Sequence, residues 1–442
     1  MTRPRIALAA LAVFLASRPA PAEDQSPPPK GHLAVTVRAG AHPRQDTPVR
    51  FELPESRFGP AVLQALEAGP ATLAVFHYPE GKENAEGNWI IRSVAQADRS
   101  AEKGLIRLTW IWRGPVPARA EDRIFLGVEA PAGSPGVAWT FAEHPAGALE
   151  LKRGDRPVFR YNAAPVSSPD HGPIQTRDAY IHPAYSPSGA LVTGDFSPYH
   201  PHHRGFFLAY VHTRAGASTP DFWNFQSGTG KIHSEGFDKP VAGPVTARFS
   251  ARHRWEAKDK ATGKGRVVLR ERWDVEAFAV RDSPYWLFDL TSTQEAVGEP
   301  LELIPHRYGG MAYRGPEPFV KGPLDVLTAE GRHRFDGDQK PTRWVDLAGP
   351  VADGSGPYAG AMIADHPTNL RHPNVARIHP VTLPFFSFVP AHSRPLSLPA
   401  GAPTVFRYRV LIHDGHPDAD LDERTWRDFA EPPTAAIEPT PG

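Results

Sequence analysis

The stretch "GRVVLRERWDVEAF", Gly265–Phe278, alternates apolar with charged or polar residues over most of its length. A period of two is the pattern of a strand with one buried and one wetter face, and it does not suit a helix. "PVTARFSARHRWEA", "PYWLFDLTSTQEA", "LELIPHRYGGMAYRG" and "TVFRYRVLIHDG" carry similar strand-like runs, and several exceed the usual five or six residues of a strand. Fifty prolines and 38 glycines divide the chain at short intervals and leave little room for long helices. The expected fold is all-β. A large antiparallel β-sandwich is expected over residues 136–416, its broad sheet face suited to an extended or ring-shaped ligand.

Ahead of it, "HLAVTVRAG", "TPVRFELP", "ATLAVFHYP", "GNWIIRSV", "LIRLTWIWRG" and "DRIFLGVEA" read as six short strands. They predict a small immunoglobulin-like sandwich over residues 33–135, with a short helix or turn at Pro60–Gly69. "DADLDERTWRDFAE" is the best helix in the chain, and residues 417–442 read as that helix followed by a disordered tail. At the other end Arg3 and Arg5 precede the apolar run Ile6 to Ala16, and Ala20-Pro21-Ala22 offers a small-residue cleavage site. Residues 1–22 are therefore expected to be a secretory signal peptide and 23–32 a proline-rich linker, with the product exported to a periplasmic or extracellular space.

Cleavage would remove three of the 49 basic residues and no acid, leaving 46 against 49 acidic ones. That balance gives no electrostatic footprint for nucleic acid. No later run reaches the roughly 18 to 20 apolar residues of a membrane helix, so no membrane span is expected. The absence of cysteine excludes thiol nucleophiles and Cys-ligated metal centres, whereas 20 histidines supply groups that titrate near neutrality.

Three of those histidines fall in "GDFSPYHPHHRGFF", Gly194–Phe207, beside Arg204. Pro198 and Pro201 predict a braced loop over 197–202 rather than a central strand. In extended backbone His200 and His202 would share a face and His203 would oppose them. The stretch admits three readings: a two-histidine metal clip completed from afar by His182, His306, Asp365 or His366; a metal-free acid/base site with Arg204 receiving negative charge; or a histidine-rich surface loop. "LIPHRYGGMAYRG" and "IADHPTNLRHPNV" have similar site-like composition, with a bulge and a turn-rich loop as their structural readings.

"YIHPAYSPSGALVTGDFSPYHPHHRGFF", "DFW", "PHRYGGMAYRG", "WVDLAGP", "ADHPTNLRHP" and "LPFFSF" together resemble the PmoA-like family of exported bacterial proteins, over about Trp139 to Gly415. Members of that family bear a methane oxygenase label. Methane oxidation belongs to a membrane-embedded complex, and this chain shows no membrane-length run, so methane is not the expected substrate. The resemblance implies a β-sandwich akin to the galactose-mutarotase-like supersandwich, in which a histidine, an arginine and an acid on a concave sheet handle a sugar.

On that reading the catalytic candidates are His202, His203, Arg204, His306 and Asp365, with Asp195, Glu302 and Asp346 as alternative carboxylates. Arg177, His182, His200, Trp223, Arg307, Arg314, His366 and Asn369 are the substrate-binding candidates. The expected function is carbohydrate-active, an epimerase, lyase or hydrolase working by His/Arg acid–base chemistry on a small-molecule or glycan ligand. A non-catalytic glycan or cell-surface binding module and a metal-dependent enzyme are the alternatives. The residues name no cofactor, no metal and no oligomeric state.

Overall fold

The computed structural model describes residues 31–438 apart from 78–89, 134–135, 146, 169, 171, 260–261, 281–284, 353 and 382. The signal-peptide reading of residues 1–22 and most of the linker lie outside the described residues. As expected, the fold is all-β and built from large antiparallel sheets.

Gly265–Phe278 pairs along its whole length with Thr246–Lys258, Thr246 opposite Phe278 and Lys258 opposite Gly265. Its alternation decides the packing: Leu269, Trp273, Val275 and Ala277 face the main core, while Arg270, Arg272, Asp274 and Glu276 face the other way. The sheet around it runs Gly230–Phe237, Thr246–Lys258, Gly265–Phe278, Tyr285–Ala296, Thr404–Asp414, Ser355–Asp365, Trp344–Ala352 and Asp325–Thr328. Against this sheet, the second large sheet in chain order, packs the first large sheet, ordered Lys340–Pro341, Val375–Ile378, Phe385–Val389, Gly310–Arg314, Phe206–Ala209, Tyr180–Ala184, Arg156–Asn162, Ala148–Arg153 and Trp139–His144. Phe159 and Phe206 meet Phe288 across the gap with ring centroids 5.1 and 6.0 Å apart, so the aromatic residues of both inner faces interlock.

One carboxylate sits inside this core. Glu271 receives bonds from His253, Trp255, Trp273, Ser292 and Gln294 at 2.6–3.3 Å, which satisfies both its oxygens away from water.

The N-terminal strands form a seven-stranded sheet around their own core, with Val62 and Leu66 of the helix Pro60–Ala68 packed into it. Its last member comes from the other end of the chain. Thr434–Ile437, read from sequence as part of a disordered tail, pairs antiparallel with His32–Arg38, Thr434 opposite Arg38 and Ile437 opposite Val35. The reason is local: that strand would otherwise leave its ladder groups unpaired, and Ala435 and Ile437 add apolar surface to the core below. The helix Ala419–Ala430 begins where Asp418 accepts bonds from the N–H groups of Asp420 and Leu421. Its Phe429 closes a third apolar cluster with Val94 and Ile111 of the N-terminal sheet and Trp344, Met362 and Leu411 of the second large sheet.

Candidate functional site

The histidine stretch leaves the first large sheet as a hairpin, Asp195–Ser197 paired with His200–Arg204, and returns directly into the strand Phe206–Ala209. The proline-braced loop expected over 197–202 is thus corrected to a turn followed by a short strand. Only Asp195 with Arg204 and Ser197 with His200 are paired, with a register shift between them, so Pro201 is asked for no ladder donor. That irregularity also overturns the simple alternation of the three imidazoles. All three converge, with ring centroids 4.6 Å apart for His202–His203, 5.1 Å for His200–His203 and 5.7 Å for His200–His202.

Gly205 makes the turn possible. Its φ is +30°, and a Cβ there would lie 2.1 Å from the carbonyl oxygen of Ile181. Backbone bonds from Gly205 to Gly194 and from Arg314 to Gly205 then tie the hairpin to the ends of the central strands. Phe206 packs inward on Phe288, whereas its neighbour Phe207 meets Trp223 at 4.7 Å. The cluster therefore lies over the face of the first sheet that points away from the second sheet. His203 stacks on Phe385 at 4.4 Å and approaches Trp223 edge-on at 5.9 Å, while His379 stands 6.2 Å from His200.

Cations surround these rings. Arg177 and Arg204 are fully buried and Arg314 is 1% exposed. Arg204 donates to Asp195 at 2.5 Å and to the carbonyl of Gln175, and Asp195 also accepts from Tyr180 at 2.8 Å. The Phe196 ring lies 3.6 Å from the Arg204 guanidinium, and Phe207 and Phe225 lie 4.6 and 5.2 Å from that of Arg177. Phe196 and Phe225 have φ of +49° and +62°, conformations costly for a bulky side chain. Both strained residues present a ring to a buried arginine.

Burial, His200 and the three arginines push His202 down to about 3. Burial and the neighbouring His202 and Arg314 take His203 well below its ordinary range, and burial with Arg314 lowers His200. The uncharged form is thus favoured for all three imidazoles, and among the described residues the buried Nδ1 of each has no partner. Nε1 of Trp223, Nε and Nη1 of Arg177 and Arg314, and Nε of Arg204 are also without partners. Among the described residues no group of three or more His, Asp or Glu is arranged to hold a metal ion.

Of the sequence candidates, His200, His202, His203, Arg204, Arg177, Arg314 and Trp223 come together here. His182 lies alongside, its ring bonded to Thr193 at 3.0 Å, and burial lowers its basicity. His306 connects only indirectly: its ring is 4.4 Å from Tyr308, which is 5.4 Å from Trp223. Burial, His212 and Arg307 push His306 down to about 4, and Arg307 itself is exposed.

Asp365 does not join the histidines. Its carboxylate accepts from Asn369 at 2.7 Å, His372 at 2.9 Å and Asn374 at 3.0 Å, and Trp426 of the C-terminal helix donates to its carbonyl. Asn369 belongs to that structural cluster. His366 packs on Phe429 at 4.7 Å and lines a cleft of about 760 Å³ between the N-terminal sheet and the second large sheet. Asp346 is also committed elsewhere: it accepts from His413 at 3.0 Å and meets Asp422, which burial and the Asp346 charge hold protonated. Glu302 pairs with Ser397 at 2.6 Å on a small three-stranded sheet. Of the four carboxylates considered, only Asp195 reaches the site. Sequence reasoning missed His379, Phe385, Phe196 and Phe225. "LPFFSF" flagged the region of Phe385, but no spacing rule joins it to the distant hairpin.

No curated protein matches the chain. Among solved structures, a protein in glycosyl hydrolase family 38 from Enterococcus faecalis is similar over 93% of this chain and 48% of its own, at 9% identity and a TM-score of 0.37. The chain thus spans about half the length of that structure, and so weak a likeness shows no shared fold. Residues 148–427 match the model of DUF6807, a family of unknown function; they contain the whole hairpin and most of both large sheets, and the chain belongs to that family.

Proposed function

We propose that this is an exported, carbohydrate-active protein that holds a sugar or glycan fragment at the histidine–arginine cluster and acts on it by proton transfer. The observation that carries the reading is the set of three neutral, mutually packed imidazoles, each with a free ring nitrogen, beside three buried arginines. A neutral imidazole both donates and accepts, as a shuttle between hydroxyl and ring carbon or oxygen requires. An arginine steadies the oxyanion formed when a proton leaves. Trp223 and Phe385 add apolar ring surface at the same place. Membership in the PmoA-like group and export through residues 1–22 belong to the same proposal and rest on sequence motifs alone.

A second reading, a glycan-binding module without turnover, is favoured by one feature. Two carboxylates at the cluster, Asp195 and Glu317, are engaged by arginines, so neither of them is free to act opposite a histidine.

A panel of neutral and acidic oligosaccharides, followed for product by mass spectrometry, separates the two. Turnover that disappears in His202→Ala and His203→Ala, with the melting temperature retained, is the expected result. Unchanged turnover in both variants would overturn the acid–base assignment, and binding without product in the unaltered protein would establish the module.

A further inference from the structure

Arg177 presents an unresolved charge. A buried guanidinium is costly unless its N–H groups are bonded and its charge is matched. Arg204 has Asp195 and the Gln175 carbonyl, and Arg314 has Glu317 at 2.6 Å. Among the described residues Arg177 bonds only to the carbonyl of Leu208, at 3.3 Å, and its Nε and Nη1 have no partner. Asp178 and Asp195 attract it through space, while Arg204 repels it and burial together with Arg204 lowers it to about 9.

Lys231 lies in the same field and donates to the carbonyl of Thr176. The cations Arg177, Arg204, Arg314 and Lys231 face the carboxylates Asp178, Asp195 and Glu317. Among these three arginines the charge of Arg177 is the one left without a bonded carboxylate, and beside it stand the free Nδ1 atoms of His200, His202 and His203.

Building on the sugar reading above, we infer that the ligand of this site is a sugar acid, a uronate-type ring whose carboxylate is received by Arg177. A monoanion matches the single charge of Arg177, whereas a phosphate dianion would overshoot it. The planar, delocalised guanidinium is suited to carboxylate, and the flanking rings of Phe207 and Phe225 hold it in place. Bound, the carboxylate offsets the field of Arg177, which after burial and His200 is one of the causes that hold the basicity of His202 down.

Calorimetric titration of the full-length protein tests this with four probes: galacturonate and glucuronate oligomers, their methyl esters, glucose 6-phosphate and sodium acetate. The acids are expected to bind, and the esters, which keep the ring and lose the charge, at least about tenfold more weakly. Arg177→Lys is expected to weaken the acid by a similar factor and to leave the ester unchanged. Because the acid-to-ester comparison uses the unaltered protein, it reads the inference even if Arg177 variants do not fold.

Equal affinity for acid and ester would overturn the inference and leave the sugar reading intact. Acetate binding that no sugar ring improves would keep the anion site and overturn the sugar reading. Tighter binding of the phosphate would overturn the carboxylate assignment, and binding of no probe would overturn both.

Discussion

His202 shows how far neighbours can move one side chain. Its ring is pushed down to about 3 from the ordinary 6.5 by burial, by His200 and by three arginines. In the unfolded chain the same imidazole takes up a proton near its ordinary value, so the native state holds fewer protons between those two pH values. The sign follows: its contribution to stability is present above about pH 6.5 and is lost as pH falls toward 3, at up to about 1.4 kcal/mol per pH unit. His203, His379 and His306 are displaced in the same direction. Thermal melts from pH 7.5 down to about 4.5 should show a progressive fall, and His202→Asn should show a shallower one. A protonated His202 in NMR spectra at pH 6 would contradict this. The residue types at the site were legible in the sequence, because His200, His202, His203 and Arg204 stand within five positions of one another. The carboxylate was not: Asp365 and Asp195 look alike as letters, and only their partners distinguish a structural acid from one beside the histidines.

At the scale of elements, the hairpin Asp195–Arg204 is held by glycine rather than by its own strand pairing. The close approach of Gly205 to Ile181 involves backbone on both sides, which cannot rotate away as a side chain would. Gly205→Ala is therefore expected to cost about 3 kcal/mol in urea unfolding and to abolish ligand binding. At Gly298, with φ of +78° and no heavy atom within 4 Å of a built Cβ, the same substitution carries backbone strain alone and should cost about 1 kcal/mol. Equal costs at the two positions would show that contact with Ile181 is not what fixes the hairpin. The long strands and the capped C-terminal helix were legible because periodicity and capping are local properties. The strand Thr434–Ile437 was not, since four residues beside a proline-rich end acquire a structure only when an open edge is offered to them.

Over the whole molecule, the C-terminal segment locks the N-terminal sheet to the large sandwich. Asp428 accepts from Arg44 at 2.8 Å and from Thr47 at 2.7 Å, all three being buried, and Gln96 accepts from the backbone of Val245 and Thr246. Asp428→Ala would leave the Arg44 charge buried without its carboxylate, a loss of about 3–5 kcal/mol. We expect calorimetry to show one transition in the unaltered protein and an earlier, separable melting of the N-terminal sheet in the variant. An unchanged single transition would mean that the apolar cluster around Phe429 and the Gln96 bonds couple the two parts without Asp428.

The sequence by itself determined that the chain is all-β, where its long strands and C-terminal helix run, and that three histidines and an arginine stand within five positions of one another, because each of these is written within one or two turns of structure. Tertiary structure alone decided that His379 and Phe385 meet the hairpin Asp195–Arg204, that Asp365 stands apart from it, and that the last strand completes the N-terminal sheet. The physical reason is that alternation fixes which face a side chain takes, whereas the neighbouring strand and its register are chosen by burial summed over residues far apart in the chain.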